Sequence, residues 1–300
     1  SAAVMKNVLV DIFKDFGSFS KYAPGVETNM DLNDLLSSGL TARKRVETII
    51  TAEVFNAIVS SSDETLTEPL RSAVANMTMA SQLIFDSINR RKNHVDVYKY
   101  EVEGMKRAYM DNYYNAMDSV IQRLMSTEVT SENTASPAAL WRKSRYYKII
   151  DSCKIKTTEA FDSIYPIDLS YFFFFRILPL QKETLDERLS AYYDRLTDEN
   201  RERVEPILTL ALLKKTVAKS LRRFDILEFP PTIRNLFDDS HASRTGKDEH
   251  DTALALADRL DLEAEELISN ADTLLSTDAS VDFCSNSAYN HPDDNIIMLP

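Results

Sequence analysis

The sequence predicts a mainly α-helical protein: two helical-bundle units related by a weak internal repeat, then an extended acidic C-terminal arm that contains one helix. Three observations predict this. First, Leu70, Val74, Met77, Ser81, Ile84 and Ile88 recur at three- and four-residue steps, the spacing of one helix face. Second, a similar segment returns from Glu205 to Asp225, and superposing the two Glu-Pro pairs puts Leu70 on Ile207, Ala73 on Leu210, Val74 on Ala211 and Ile84 on Leu221. Third, only 5 of the 300 residues are glycine, which disfavours folds built on tight turns or phosphate-cradling loops. Composition and linker signals set the units at 1–130, 131–237 and 238–300.

In chain order, the spacing predicts a first helix over Ala3 to Phe16, with Val4, Val8, Ile12 and Phe16 on one face. Pro24-Gly25 marks a turn, and Asn29 or Asp31 is placed to cap a short helix to Leu36. A second helix is expected from Thr41 to Ser60, and the Glu68–Phe85 helix follows. Pro69 is compatible with a helix that begins just before it, or it kinks one that begins at Ser62 or Asp63. Asn93 to Met125 reads as a long helix with Tyr98, Val102, Met105, Tyr109, Tyr113, Val120 and Leu124 on one side. Ser126 to Ala139 is a polar linker.

In the second unit, Trp141, Tyr146, Ile149 and Ile150 form a helical face, and Leu169 to Leu178 is either strand or helix because four successive phenylalanines show no period. Gln181 to Leu196 is helical, Thr197-Asp198-Glu199 caps the next helix, and Phe229-Pro230-Pro231 stops it. Met77 on the first repeat helix meets Lys214 on the second, so the first is expected to be the more buried, and the second to turn one side to water or a partner. Within the arm, Ser240 to Asp251 is polar. Thr252 to Ser276 is a helix whose Ala253, Ala257, Leu260, Ala264, Leu267, Ala271 and Leu274 make a heptad seam.

The net charge of −12 sits entirely in the arm: residues 238–300 carry 3 basic and 15 acidic side chains, whereas residues 1–237 carry 32 of each. Such an arm repels duplex DNA and anionic lipid and attracts a basic protein surface. No apolar run approaches the roughly 20 residues of a membrane span, and the N-terminal segment reads as an amphipathic helix, not a signal peptide. Cys153 and Cys284 read as free thiols of a reducing compartment. His94, His241, His250 and His291 lack metal-ligand spacing, and no glycine-rich phosphate loop or nucleophile motif occurs. No catalytic residue, metal or cofactor is assigned on these grounds.

The run Trp141-Arg142-Lys143-Ser144-Arg145-Tyr146-Tyr147-Lys148 combines cations and rings. It reads as a helix with an aromatic core face and a solvated basic face, as a nucleic-acid patch, or as a receiver for the acidic arm of a neighbouring copy. Partner-contact candidates are Trp141, Arg142, Lys143, Arg145, Tyr146 and Lys148 in that run, Leu260, Leu267 and Leu274 on the seam, and the apolar Ile296, Ile297, Met298 and Leu299.

Over residues 19–237 the sequence resembles a Bacteroides and Bacteroides-phage protein family. The resemblance is carried by Lys21-Tyr22, the Ala-rich stretch Ala73–Leu83, Lys106, Tyr109 and Tyr113, Trp141, and the Phe229-Pro230-Pro231 stop. Those proteins look like phage head–tail connector (adaptor) proteins. The resemblance implies a structural virion protein with no cofactor. Such a protein is assembled in the host cytoplasm, forms a ring homo-oligomer, and contacts portal and tail proteins. Residues 238–300 would be an arm that docks on an adjacent subunit or partner ring. The alternative is a cytoplasmic bacterial helical module that contacts nucleic acid or protein. Direct nucleic-acid binding is not expected under the connector reading.

Overall fold

The computed structural model describes residues 8–25, 30–92, 99–236 and 246–284. Among these residues the chain is helical throughout, with no strand. The elements are α1 (Phe16–Ser20), a 3₁₀ turn (Leu32–Leu35) leading into α2 (Leu36–Ile50), α3 (Ala52–Val59), α4 (Glu64–Lys92) and α5 (Lys99–Ser126). Then come α6 (Pro137–Arg142), α7 (Arg145–Ile149), α8 (Thr158–Ile164), α9 (Tyr171–Thr184), α10 (Ser190–Tyr193), α11 (Arg201–Arg223), α12 (Pro231–Arg234) and α13 (Gly246–Cys284).

The order of packing explains the order of burial. Helices α4 and α5 form an antiparallel pair, α2 covers α4, and α9 packs against both α5 and α11. Asn76, fully buried on α4, pins three segments together. Its Nδ2 donates to Tyr22 O at 2.8 Å and Ser72 O at 2.8 Å, and its Oδ1 accepts from Asn112 Nδ2 of α5 at 3.1 Å. Every polar atom of that side chain is thereby satisfied.

The stretch left open between strand and helix is the helix α9. Asp168 and Leu169, at φ 58° and 49°, turn the chain, and Ser170 Oγ then caps the helix by accepting from Phe173 N at 3.0 Å. The phenylalanines lack a period because the helix is buried on every side. Phe172 meets Tyr113 and Tyr114, Phe173 meets Phe229, Phe174 meets Phe161, and Phe175 meets Trp141 at 4.9 Å between ring centroids. Beyond Thr184 the helix widens into a π turn, Leu185–Leu189, before α10.

Several expectations are corrected. Residues 8–12 form turns, and the first helix starts at Phe16, where Asp15 Oδ1 accepts from Ser18 N at 2.8 Å; residues 1–7 lie outside the described residues. The short capped element at Asp31 is present as a 3₁₀ turn with a reciprocal capping box to Asp34. The helix expected over Thr41–Ser60 is two helices, broken at Thr51, whose φ of 80° is strained for a β-branched residue. Pro69 lies inside α4 as its sixth residue, and Pro206 is the sixth residue of α11. The two repeat helices thus share a proline-bearing second turn, where the carbonyl four residues back loses its donor. Asn200, not Thr197–Glu199, stands at the N-cap position of α11, with its Oδ1 accepting from Thr197 N at 2.7 Å, and α11 ends at Arg223, ahead of Phe229-Pro230-Pro231, where Pro231 opens α12.

The loop after Ser126 falls where a linker is expected, yet one core cluster crosses it, from Leu9 through Leu124 to Trp141 and Leu260. A second cluster joins Leu185, Leu189, Tyr193 and the first half of α11 to Ala264, Ile268, Ala271 and Leu275 of α13. The described part of the arm is therefore a helix docked on its own chain. Its buried seam is Ala253, Ala257, Leu260, Ala264, Ile268, Ala271 and Leu275, with Leu267 and Leu274 half-buried at the edge. A heptad seam drifts around a straight helix; steps averaging about 3.7 residues stay on one side.

Basic residues line the helix's bed. Arg222 pairs with Asp258 and Asp261, Lys214 with Glu263, Lys215 with Asp261 and Glu265, Arg188 with Glu265, and Arg195 with Asp272. The side of α11 that Lys214 marks is covered by the chain's own acidic helix. Arg188, then Lys215, holds the Glu265 carboxyl down at about 2, although both it and Arg188 are more than a third exposed. Exposed pairs of this kind contribute little to stability, whereas alanine in a closed seam leaves no room.

Truncating the α9 core, Phe175→Ala, is expected to destabilise the fold by about 3–5 kcal/mol in chemical denaturation. For the arm, Ala264→Leu should cost about 1–3 kcal/mol and Glu265→Gln less than about 1 kcal/mol. If Glu265→Gln proved the more damaging, charge and not close packing would hold α13 in place.

Candidate functional site

At the end of the α4–α5 pair, the packing opens into a cleft of about 410 Å³. Its floor is apolar: Ile49 of α2, Met77 and Ala80 of α4, Met110 of α5, Phe172 of α9, and Leu227. Its rim is charged, with Arg45, Lys106 and Arg176 facing Asp225 and Glu228. Arg176 is committed, pairing with Glu228 at 3.2 Å and lying over the Phe224 ring at 4.4 Å. Asp225 is also occupied, since its Oδ1 accepts from Leu227 N at 2.9 Å. Arg45 and Lys106 make no ion pair among the described residues. Tyr113 lies at the base, and burial raises its phenol pKa well above the ordinary value, with Glu228 adding to the effect. It is neutral and acts as packing.

The cleft continues into an exposed apolar strip. The Asn76–Asn112 hydrogen bond fixes the register of α4 against α5, so eight residues on, Ile84 lies level with the start of α5 near Met105. Ile84, which lines the cleft, is 52% exposed, Phe85 48%, Ile88 46% and Met105 42%. Single exposed apolar side chains are ordinary, but Ile84, Phe85 and Ile88 follow one another within about one turn of α4 beside the cleft. Helix periodicity assigned Ile84, Ile88 and Met105 to core faces, and the structure corrects this. The faces continue, but the partners stop: Leu83 is the last buried residue of α4 among those whose side chains are described. The one available signal was Ser81, which interrupts the apolar face one turn before the core ends.

The candidates picked from the sequence lie elsewhere. Trp141 is fully buried against Phe175, with its Nε1 directed at Met125 Sδ at 3.2 Å, so it is core and no contact surface. Arg142 Nη2 donates to the carbonyls of Met125 and Thr127, closing the C-terminus of α5. Arg145 donates to Thr48 O at 2.8 Å and lies over the Tyr146 ring, itself half-buried. Lys143 and Lys148 face solvent. The run is thus a helix pair with an aromatic inner face and a partly spent basic outer face. Within the chain, the described part of the acidic arm rests on the bed of α11 and the turn before it. Leu260 is buried in the main core, and Leu267 and Leu274 flank the second cluster, so the seam is occupied within the chain. Ile296, Ile297, Met298 and Leu299 lie outside the described residues.

Other chemistry is structural in placement. Cys153 is a buried free thiol whose pKa burial pushes up to about 11, and its Sγ lies 3.7 Å from Leu178 O. Among the described residues no cluster of His, Cys, Asp and Glu could hold a metal ion, and no helix is long and apolar enough to cross a membrane. One carboxyl is pushed upward: Asp118 of α5, which faces the start of α9. Its Oδ1 accepts from Ser170 Oγ at 2.7 Å and Phe172 N at 2.9 Å, while Tyr114 donates to Ser170 Oγ. Burial pushes its pKa up to about 6, against the pull of those two hydrogen bonds.

That shift has a defined sign. An acid whose pKa is higher in the folded state gives stability that is present at low pH and lost as pH rises from about 4 through about 6. Asp118→Asn keeps the acceptor and removes the titration. The wild-type chain is expected to lose about 2 kcal/mol relative to this variant between pH 4 and 7, read by denaturation at each pH. A difference independent of pH would show that Asp118 is ionised throughout.

Set beside known protein families, curated proteins and solved structures, this chain matches none.

Proposed function

We propose that this chain is a structural assembly protein that works by protein–protein contact through the cleft between α2, α4, α5 and α9. The observation that carries this is an apolar-floored cleft with a charged rim that runs, through Ile84, into the exposed Phe85 and Ile88 of α4. Apolar area of this kind, with a rim that carries both signs of charge, suits a protein segment better than a polar small molecule or a nucleic-acid backbone. The head–tail connector resemblance supplies the more specific form of the proposal: a homo-oligomeric ring between portal and tail in the virion, assembled in the host cytoplasm. A contact between two different surfaces of identical subunits is the geometry from which rings are built.

Sedimentation velocity tests this. The full-length wild-type chain is expected to sediment as an assembly. Ile84→Asp with Ile88→Asp should shift it to the monomer with unchanged helical circular dichroism, because both side chains are solvent-exposed. An unchanged mass for the double variant would remove the cleft from the assembly surface.

A further inference from the structure

We infer that the occupant of the cleft is the segment Asp293–Leu299 of a second copy of this chain. This rests on the cleft being the assembly surface. The segment reads Asp293-Asp294-Asn295-Ile296-Ile297-Met298-Leu299: two carboxylates, one amide, then four consecutive apolar residues. The cleft offers the complementary order. Arg45 and Lys106 stand at the rim without ion-pair partners among the described residues, beside the apolar floor of Met77 and Met110 and the strip of Ile84, Ile88 and Met105. The sequence of α4 beyond Ile88 runs on through Arg90-Arg91-Lys92, further basic residues on the same helix. The acidic side chains of α13 that lie along α11 are engaged there. Glu263, Glu265, Asp258, Asp261 and Asp272 are already paired along α11 and the turn before it.

Covalent geometry selects a second copy over the same chain. The helix α13 begins near the cleft, where Glu249 accepts from Arg107 at 2.6 Å, next to the cleft residue Lys106. It then runs antiparallel to α11, passing Arg222 by Asp258 and reaching Arg195 by Asp272. The cleft lies past the opposite end of α11, at Asp225 and Leu227. From Glu249 to Cys284 the helix extends about 52 Å at 1.5 Å per residue. The chain from Cys284 to Ile296 spans at most about 43 Å fully extended. The anchors Ile296 and Ile297, at most about 43 and about 47 Å from Cys284, fall short of their own cleft, and each copy that engages a neighbour leaves its own cleft for the next. The contact is head-to-tail, which propagates to a ring when the rotation closes.

Complementation between full-length variants tests this. Ile296→Asp with Ile297→Asp removes the apolar anchor outside the described fold, and Ile84→Asp with Ile88→Asp removes its seat. In sedimentation velocity each double variant alone is expected to be monomeric, while an equimolar mixture should form a two-chain species through the one intact segment and the one intact cleft. A labelled peptide of residues 288–300 should bind the segment variant at least tenfold more tightly than a chain that also carries the two cleft substitutions. If the segment variant keeps the wild-type mass while the cleft variant dissociates, this inference is overturned and the assembly surface stands. A mixture that stays monomeric overturns it too, because a cleft that pairs with itself cannot be complemented. A wild-type chain that sediments only as monomer overturns both.

Discussion

The structure depends on a single helix whose first three turns hold no fully exposed residue. Phe172, Phe173, Phe174 and Phe175 leave α9 in four directions, and each ring closes a different contact: the α5 tyrosines, Phe229, Phe161 and Trp141. Each such burial contributes about 2–3 kcal/mol, and together they fix the positions of α5, α6, α8 and the segment after α11 around one axis. Trp141 and the basic residues around it follow from this. Once the indole is seated on Phe175, Arg142 is carried to the end of α5 and Arg145 to α2. A run that in sequence resembles a binding patch becomes a strut.

The acidic arm illustrates the difference between charge as recognition and charge as stability. All of the net charge lies beyond residue 237, yet the described part of it rests on the chain's own basic bed. Close packing of Ala253, Ala257, Ala264 and Ala271 allows the helix to approach, and the ion pairs at its edges set register and direction. Carboxylates neutralised in this way have little left to attract an outside surface. Among the described residues, the cleft cations Arg45 and Lys106 make no ion pair.

The cleft arises because the α4–α5 pair outruns its cover. Both helices keep an apolar face beyond their cover, so Ile84, Ile88 and Met105 meet solvent while Met77 and Met110 are buried about one to two turns away. The same face changes from core to contact surface along one helix, with no change in residue type. Asp118, at the other end of the α5–α9 contact, is the counterpart in polar chemistry: a carboxyl placed at a helix start for its hydrogen bonds, at the cost of a raised pKa.

The sequence by itself determined the helical class, because glycine scarcity and three- and four-residue apolar spacing are local properties. It also placed α4, most of α5, α11 and the helix of the arm, whose apolar spacing is written in neighbouring residues. The paired prolines at the sixth position of α4 and α11 follow from the Glu-Pro repeat. Tertiary structure decided the rest. Periodicity reports that a face is apolar but not what covers it, so Trp141 and Leu260 appeared as contacts and Ile84 and Met105 as core. A helix buried all round carries no period, which hid α9. Thr51, held at a φ its side chain disfavours, breaks a helix that local propensity continues, because the packing of α2 and α3 requires the turn there.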